Sequence, residues 1–142
     1  EDIIFDESLL QGQTKFMNKI YQASRFFSIY AAKASLEKLQ NQSLLEECLE
    51  LKDIQSKFGK YMDSYNFLEA GRYAQSIFKE WFCDQWIELN KTQIQSLDLA
   101  TIRQGILILN QMLAMIEPFC PYLAHEIQGK FFNHPSKCQE HK

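Results

Sequence analysis

Residues 67–91 read FLEAGRYAQSIFKEWFCDQWIELNK, and this stretch decides the fold. It carries six aromatic residues, contains no proline and has one glycine, Gly71. The spacing of its apolar residues predicts one uninterrupted helix, from about Asn66 to Asn90. Because the aromatics fall on more than one side, we expect neighbouring helices to wrap this helix.

Apolar residues at helical spacing predict four further helices around it. We place them at residues 8–34, 45–65, 98–117 and 121–132. Asn66, backed by Glu69, and Asp98 are candidate N-caps. Each of three helices has a stripe of apolar residues that we expect to be buried. In the helix at 8–34 these are Phe16, Ile20, Ala23, Phe27, Tyr30 and Ala34, and in the helix at 45–65 they are Leu51, Ile54, Phe58, Tyr61 and Tyr65. In the helix at 98–117 they are Ile102, Ile106, Leu109, Leu113 and Ile116, and Ile108, Met112 and Met115 widen the stripe.

These segments predict an all-α fold, a helical bundle of four long helices plus a short C-terminal helix. We expect one domain at residues 1–132, followed by a polar tail at 133–142 that frays. A hydrophobic content of 46% supplies a core, and only five glycines and three prolines disfavour a turn-rich β fold. The chain opens on Glu rather than Met, which suggests either an excised fragment or a processed chain.

Charge and cysteine usage limit the classes of function. The net charge of −3 weighs against nucleic-acid binding driven by overall charge, although a local basic face remains compatible with it. Four widely spaced cysteines suggest reduced thiols in an intracellular, cytoplasmic protein; a secreted domain with two disulfides is the alternative. No apolar run approaches the roughly 20 residues of a membrane span, so we expect no membrane partner.

The sequence offers no catalytic constellation. Its glycines are too scattered for a phosphate-binding loop, and no zinc-protease signature is present. His134, Cys138 and His141 stand close together in the tail, but we interpret them as a solvated terminus rather than a metal site. Cys83 is expected to be a packed thiol. We therefore assign no catalytic residue, no metal and no cofactor to this chain.

One face of the first helix carries the best candidate site. Its lysines and its arginine suit phosphates, its amides can bond to base edges, and its phenylalanine can stack on a splayed-out base. The alternative is an ordinary solvated face with Phe26 packed under a loop. The candidate tRNA-binding residues are Lys15, Asn18, Lys19, Gln22, Arg25, Phe26 and Lys33.

Several motifs, taken in order, resemble the anticodon-binding domain of class I aminoacyl-tRNA synthetases of the valine, isoleucine and leucine group. The matching stretches are QASRF at 22–26, YNF at 65–67, FCDQWIE at 82–88, EPFCP at 117–121 and AHEI at 124–127. The third is most similar to the valine branch. The sequence departs from the family pattern at Glu117, where a histidine is usual, and at His125, where threonine or an acid is usual.

The resemblance implies that the parent enzyme attaches an amino acid to its tRNA with ATP and Mg²⁺, and the match to the valine branch implies that this amino acid is valine. It implies that this domain holds the anticodon stem-loop, next to a catalytic domain in the same chain, and that it works as a monomer. The family's two ATP-handling signatures are absent from these 142 residues. Two alternatives stay open: the isoleucine or leucine branch, and a helical protein–protein interaction module that does not bind nucleic acid.

Overall fold

The computed structural model describes residues 7–34, 48–127 and 129–130. Within these ranges the chain is helical and holds no strand: α1 is Glu7–Lys33, α2 is Leu49–Asp63, α3 covers residues 67–95, α4 is Leu99–Ile116 and α5 is Pro121–Ile127. The all-α prediction is confirmed, with four long helices and a short fifth one. The predicted tail at 133–142 lies outside the described residues.

Ring and side-chain contacts define the direction of each helix. The Phe16 ring lies 5.7 Å from that of Phe78, and the Phe27 ring lies 6.4 Å from that of Trp86, so α1 and α3 run the same way. α4 runs opposite to α1, because its early residue Gly105 adjoins Phe27 whereas its last residue shares a small cavity with Phe16. α2 is joined to α3 by a tight turn and runs opposite to α3.

The core lies where α1, α3 and α4 meet. The predicted stripe of α1 is confirmed, with Tyr30 half-buried, and Ser24 and Ala31 join it. α4 buries eight residues and is half-exposed at Ile106, so its predicted stripe is confirmed with that one exception. By length and composition alone α4 could also cross a membrane, but an apolar helix buried in a bundle has the same character.

The aromatic helix α3 is continuous but changes its winding. It is α-helical over Phe67–Ser76, π-helical over Ile77–Ile87 and α-helical again over Glu88–Gln95. In the middle segment the buried residues are Phe78, Phe82 and Ile87, which advance by four and then five positions. That repeat matches the wider i→i+5 turn rather than the α-helical one. The helix also runs five residues beyond the predicted end at Asn90.

Neighbouring helices wrap α3 less completely than the sequence predicts. Phe78 and Phe82 are fully buried, whereas Phe67, Tyr73, Trp81 and Trp86 are only half-buried. A face of α3 that carries Lys79, Glu80 and Asp84 is open to solvent. The predicted wrapping by neighbouring helices is therefore confirmed at Phe78 and Phe82 but is incomplete, because polar residues between the aromatics keep one side of α3 exposed to solvent.

Left-handed residues terminate α2 and α3. Tyr65 has φ 61° and Leu97 has φ 66°, and in each case the next residue's N–H reaches back five residues to a carbonyl. This is the hydrogen-bond pattern of a Schellman cap, with a large side chain where glycine is usual. The predicted α2 stripe consequently ends early: Tyr65 stands in the turn and is 79% exposed.

Both predicted N-cap positions are confirmed, but their side-chain bonds differ from expectation. Asn66 precedes α3 without a side-chain cap bond, and Glu69 pairs with Arg72 at 3.4 Å instead of reaching back to Asn66. Asp98 precedes α4, and its carboxylate accepts a hydrogen bond from the Thr101 hydroxyl. A hydroxyl three residues on thus takes the place of the backbone N–H.

Two glycine substitutions test the packing at the centre of the bundle. A Cβ at Gly105 would overlap the Phe27 ring and lie 3.1 Å from Trp86 Cζ3, whereas a Cβ at Gly59 meets nothing within 4 Å. We expect Gly105→Ala to lower the free energy of unfolding by about 1–3 kcal/mol through overpacking. Gly59→Ala should raise it by about 0.5–1 kcal/mol through helix propensity. Urea denaturation measures both; equal effects of the two changes would refute the predicted contact.

Ser24 provides a second test of stability. Its side chain is fully buried and, among the described residues, its hydroxyl has no hydrogen-bond partner. Removing an unsatisfied buried hydroxyl should stabilise the fold, so we expect Ser24→Ala to raise the free energy of unfolding by about 1–2 kcal/mol. The matched control is Ser56→Ala at an exposed position of α2. This change should stabilise the chain only through the higher helix propensity of alanine. A Ser24→Ala gain no larger than the Ser56→Ala gain would contradict this prediction.

Candidate nucleic-acid interface

All seven candidate residues lie on the face of α1 that points away from the core. Five are exposed, and Lys19 and Phe26 are half-buried. They recur at positions that stay on one side of a 3.6-residue turn, opposite the buried set that includes Phe16 and Phe27. The face is a stripe rather than a cluster: eighteen residues separate Lys15 from Lys33, which is about 27 Å along the helix.

An aromatic group marks the C-terminal part of this stripe. The Phe26 ring lies 5.0 Å from the Tyr30 ring and 5.3 Å from the Phe27 ring. Lys33 Nζ stands 5.1 Å above the Tyr30 ring, in cation–π range. Phe26 therefore packs against the core on one side, and part of its ring remains exposed to solvent. Such a supported ring offers a base a rigid surface on which to stack.

The N-terminal part of the stripe faces α3. Lys19 Nζ lies 3.9 Å from the Asp84 carboxylate, and both side chains are about half exposed, so the pair stabilises little. The contact joins Asp84 of α3 to a cation of the neighbouring helix α1. Cys83 lies next to Asp84 and is partly buried. This burial raises the pKa of the Cys83 thiol to about 11, and the positive charge of Lys19 partly offsets the rise.

An open groove of about 410 Å³ lies between α1 and the first half of α3. It brings Lys15 and Lys19 together with two cations that sequence reasoning missed, Arg72 and Lys79. The signal was present, because Arg72 and Lys79 are seven residues apart and so share one helix face. The sequence alone does not show that this face of α3 lies beside α1.

The corner between α4 and α5 brings together the two positions that depart from the family pattern. His125 Nε2 lies 3.6 Å from the Glu117 carboxylate, so the two departures contact each other. Nearby, partial burial and a hydrogen bond with Glu126 raise the pKa of Tyr21, and Lys130 Nζ lies 5.5 Å from the Tyr21 ring. The Tyr21–Glu126 contact joins α1 to α5.

Metal-ligating side chains do not gather in the part of the chain that the structure describes: no three of His, Cys, Asp or Glu stand close enough to hold an ion. The three candidate ligands in the tail lie outside that part. Cys48 and Cys83 are free thiols, and Cys138 is not among the described residues.

Comparison with known proteins identifies the family. The family model for the anticodon-binding domain of tRNA ligase matches residues 48–141, which is about two thirds of the chain. The chain belongs to this family. The family match begins after α1, but individual relatives align over most of the chain. No solved structure matches the chain significantly.

The similar proteins are valine–tRNA ligases. That of Ehrlichia ruminantium (strain Welgevonden) is 26% identical over 144 residues, covering 95% of this chain and 18% of the relative. That of Pseudothermotoga lettingae is 31% identical over 130 residues, covering 89% and 15%. That of Pelagibacter ubique is 30% identical over 145 residues, covering 93% and 16%. The chain thus spans less than a fifth of the length of these relatives.

Cys83 reports on the α1–α3 contact through its reactivity. With a pKa of about 11, its thiolate fraction at pH 8 is about 100-fold below that of a thiol with a pKa of 9.0. We expect iodoacetamide to alkylate Cys83 about 100-fold more slowly in the native chain than in the chain unfolded by urea, with mass spectrometry as the readout. Lys19→Gln should slow the reaction further, because the Lys19 charge lowers this pKa. Equal native and unfolded rates would contradict the assigned burial.

Proposed function

We propose that this domain binds the anticodon arm of a tRNA through the outer face of α1. The observation that carries the proposal is the stripe of seven polar, cationic and aromatic side chains on one exposed helix face, in a chain of the anticodon-binding family. Lys15, Lys19, Arg25 and Lys33 supply point charges for phosphates. Asn18 and Gln22 can hydrogen-bond to base edges, and Phe26 supplies the stacking surface.

We further propose that the parent protein is a valine–tRNA ligase, which joins valine to its tRNA with ATP and Mg²⁺. The support is the name shared by the relatives and their similarity along most of this chain. In this proposal the domain acts as a monomer beside the catalytic domain of the same chain, in the cytoplasm and without membrane contact. The isoleucine and leucine branches would bind a different tRNA and attach a different amino acid.

A tRNA titration tests the proposed recognition. The 142-residue chain is titrated at 50 mM KCl with a valine tRNA transcript and with the same transcript carrying a swapped anticodon. We expect the swapped anticodon to weaken binding by about fivefold or more, since each lost base contact costs about 1 kcal/mol or more. Isoleucine and leucine tRNA transcripts decide the branch. Equal affinity for all four transcripts would refute anticodon recognition, and an absence of RNA binding would favour the protein–protein interaction module.

Charge removal on α1 tests the proposed face. Arg25→Ala should lower the affinity for the valine transcript by about fivefold and flatten the slope of log K against log salt by about one unit. Lys19→Ala should do the same, although this change also frees Asp84 from its ion pair. The control is Lys60→Ala, which removes an exposed charge from α2. An unchanged slope in both α1 variants would place the interface elsewhere.

A further inference from the structure

The groove between α1 and α3 concentrates positive charge in an acidic chain. The whole sequence carries 15 basic and 18 acidic residues, yet four cations line this one groove. Lys15 and Lys19 are one turn apart on α1, and Arg72 and Lys79 are two turns apart on α3. Two helices that run the same way thus present their cations toward one space.

The remaining lining of the groove is neutral. Gln75 and Ser76 lie between the two α3 cations on the same helix face, and Phe16 lies below them. The surrounding acids are outside the lining: Glu69 pairs with Arg72, Asp84 with Lys19, and Glu80 accepts a hydrogen bond from Ser76. The groove therefore combines fixed positive charge, polar side chains and an apolar floor, with carboxylates at its edges.

We propose that this groove seats backbone phosphates of the bound RNA stem-loop, with Arg72 and Lys79 as phosphate-binding residues. The inference rests on the proposed function and adds a second helix to its binding surface. A guanidinium can hold a phosphate through two parallel N–H bonds, and an ammonium acts as a point charge. A volume of about 410 Å³ falls in the size range of ligand sites and exceeds that of a single phosphate group.

The existing ion pairs leave these cations available. The Arg72–Glu69 pair is at 3.4 Å and the Lys19–Asp84 pair is at 3.9 Å, with all four side chains between 41% and 54% exposed. Exposed pairs of this kind stabilise the fold little, so a phosphate can displace their carboxylates. Within the described residues, Lys15 and Lys79 have no ion-pair partner. The groove can therefore accept an anion without rearrangement of the helices.

Phosphates seated here would orient the RNA on the α1 stripe. Lys15 and Lys19 belong both to the groove and to the stripe, and Arg25 and Phe26 follow about 10 Å further along α1. Phosphate contacts fix the register of a nucleic acid and carry no sequence information. The groove should therefore contribute affinity equally to every anticodon, while the stripe beyond it discriminates between them.

Charge neutralisation on α3 tests the groove. Arg72→Gln and Lys79→Gln are compared with Lys91→Gln, which makes the same charge change on an exposed residue about three turns further along α3. The ligands are anticodon stem-loops with the valine anticodon and with a swapped anticodon, and Kd is measured from 50 to 200 mM KCl. Circular dichroism and thermal unfolding establish that each variant keeps its fold.

We expect each groove variant to weaken binding of both stem-loops about fivefold at 100 mM salt and to reduce the salt slope by about 0.7–0.9, the amount for one phosphate contact. The double variant should lose about 25-fold, the ratio between the two stem-loops should stay unchanged, and Lys91→Gln should have little effect.

The outcomes separate the two proposals. A wild-type preference for the valine anticodon together with unchanged slopes in both groove variants would overturn the groove and leave the proposed function standing. Equal losses in Lys91→Gln and the groove variants would also overturn it, because the attraction would then be diffuse. Reduced slopes without any wild-type anticodon preference would support the groove and sink anticodon recognition. An absence of RNA binding would overturn both.

Discussion

The arrangement of the bundle depends on the close approach of α4 to the Phe27 ring at Gly105. No side chain larger than hydrogen fits there, because a Cβ would overlap that ring and crowd Trp86. Phe27 in turn stacks on Phe82 with ring centroids 5.9 Å apart. One ring from α1 thus touches both of the other core helices. Since dense interiors transmit displacement, the position of this ring sets the spacing of all three.

α3 serves as scaffold and as surface at different points along its length. Its π-helical middle brings Phe78, Phe82 and Ile87 to the core in steps of four and five residues, and this wider turn leaves Lys79 and Asp84 on the open side. π-helical turns are uncommon in proteins, and those that occur are often found at functional sites. Here the turn lets one helix bury large aromatic rings and still present charge to α1.

Regular periodicity made the helices and most core positions predictable, and prediction failed in α3, where the period changes. The buried apolar residues of α1 and α4 follow the 3.6-residue period, so Ile20 and Leu109 could be placed in the core from sequence alone. The change of winding in α3 has no such signature, and a 3.6-residue period spreads its aromatics over more than half of the helix circumference. The spacing of Arg72 and Lys79 indicates a shared helix face, but the groove itself could not be predicted, since Arg72 and Lys15 meet only through the packing of two distant segments.

Core packing and the proposed RNA surface are joined at Phe16. Its ring meets Phe78 edge-to-face at 5.7 Å in the core, and the same residue forms the floor of the basic groove. Its neighbour Lys15 and, one turn on, Lys19 are therefore held at a fixed distance from the α3 cations. A fixed array of charges loses less conformational entropy on binding than flexible side chains on a mobile backbone would. In an acidic chain, local charge placed by an aromatic core is what makes an RNA surface physically reasonable.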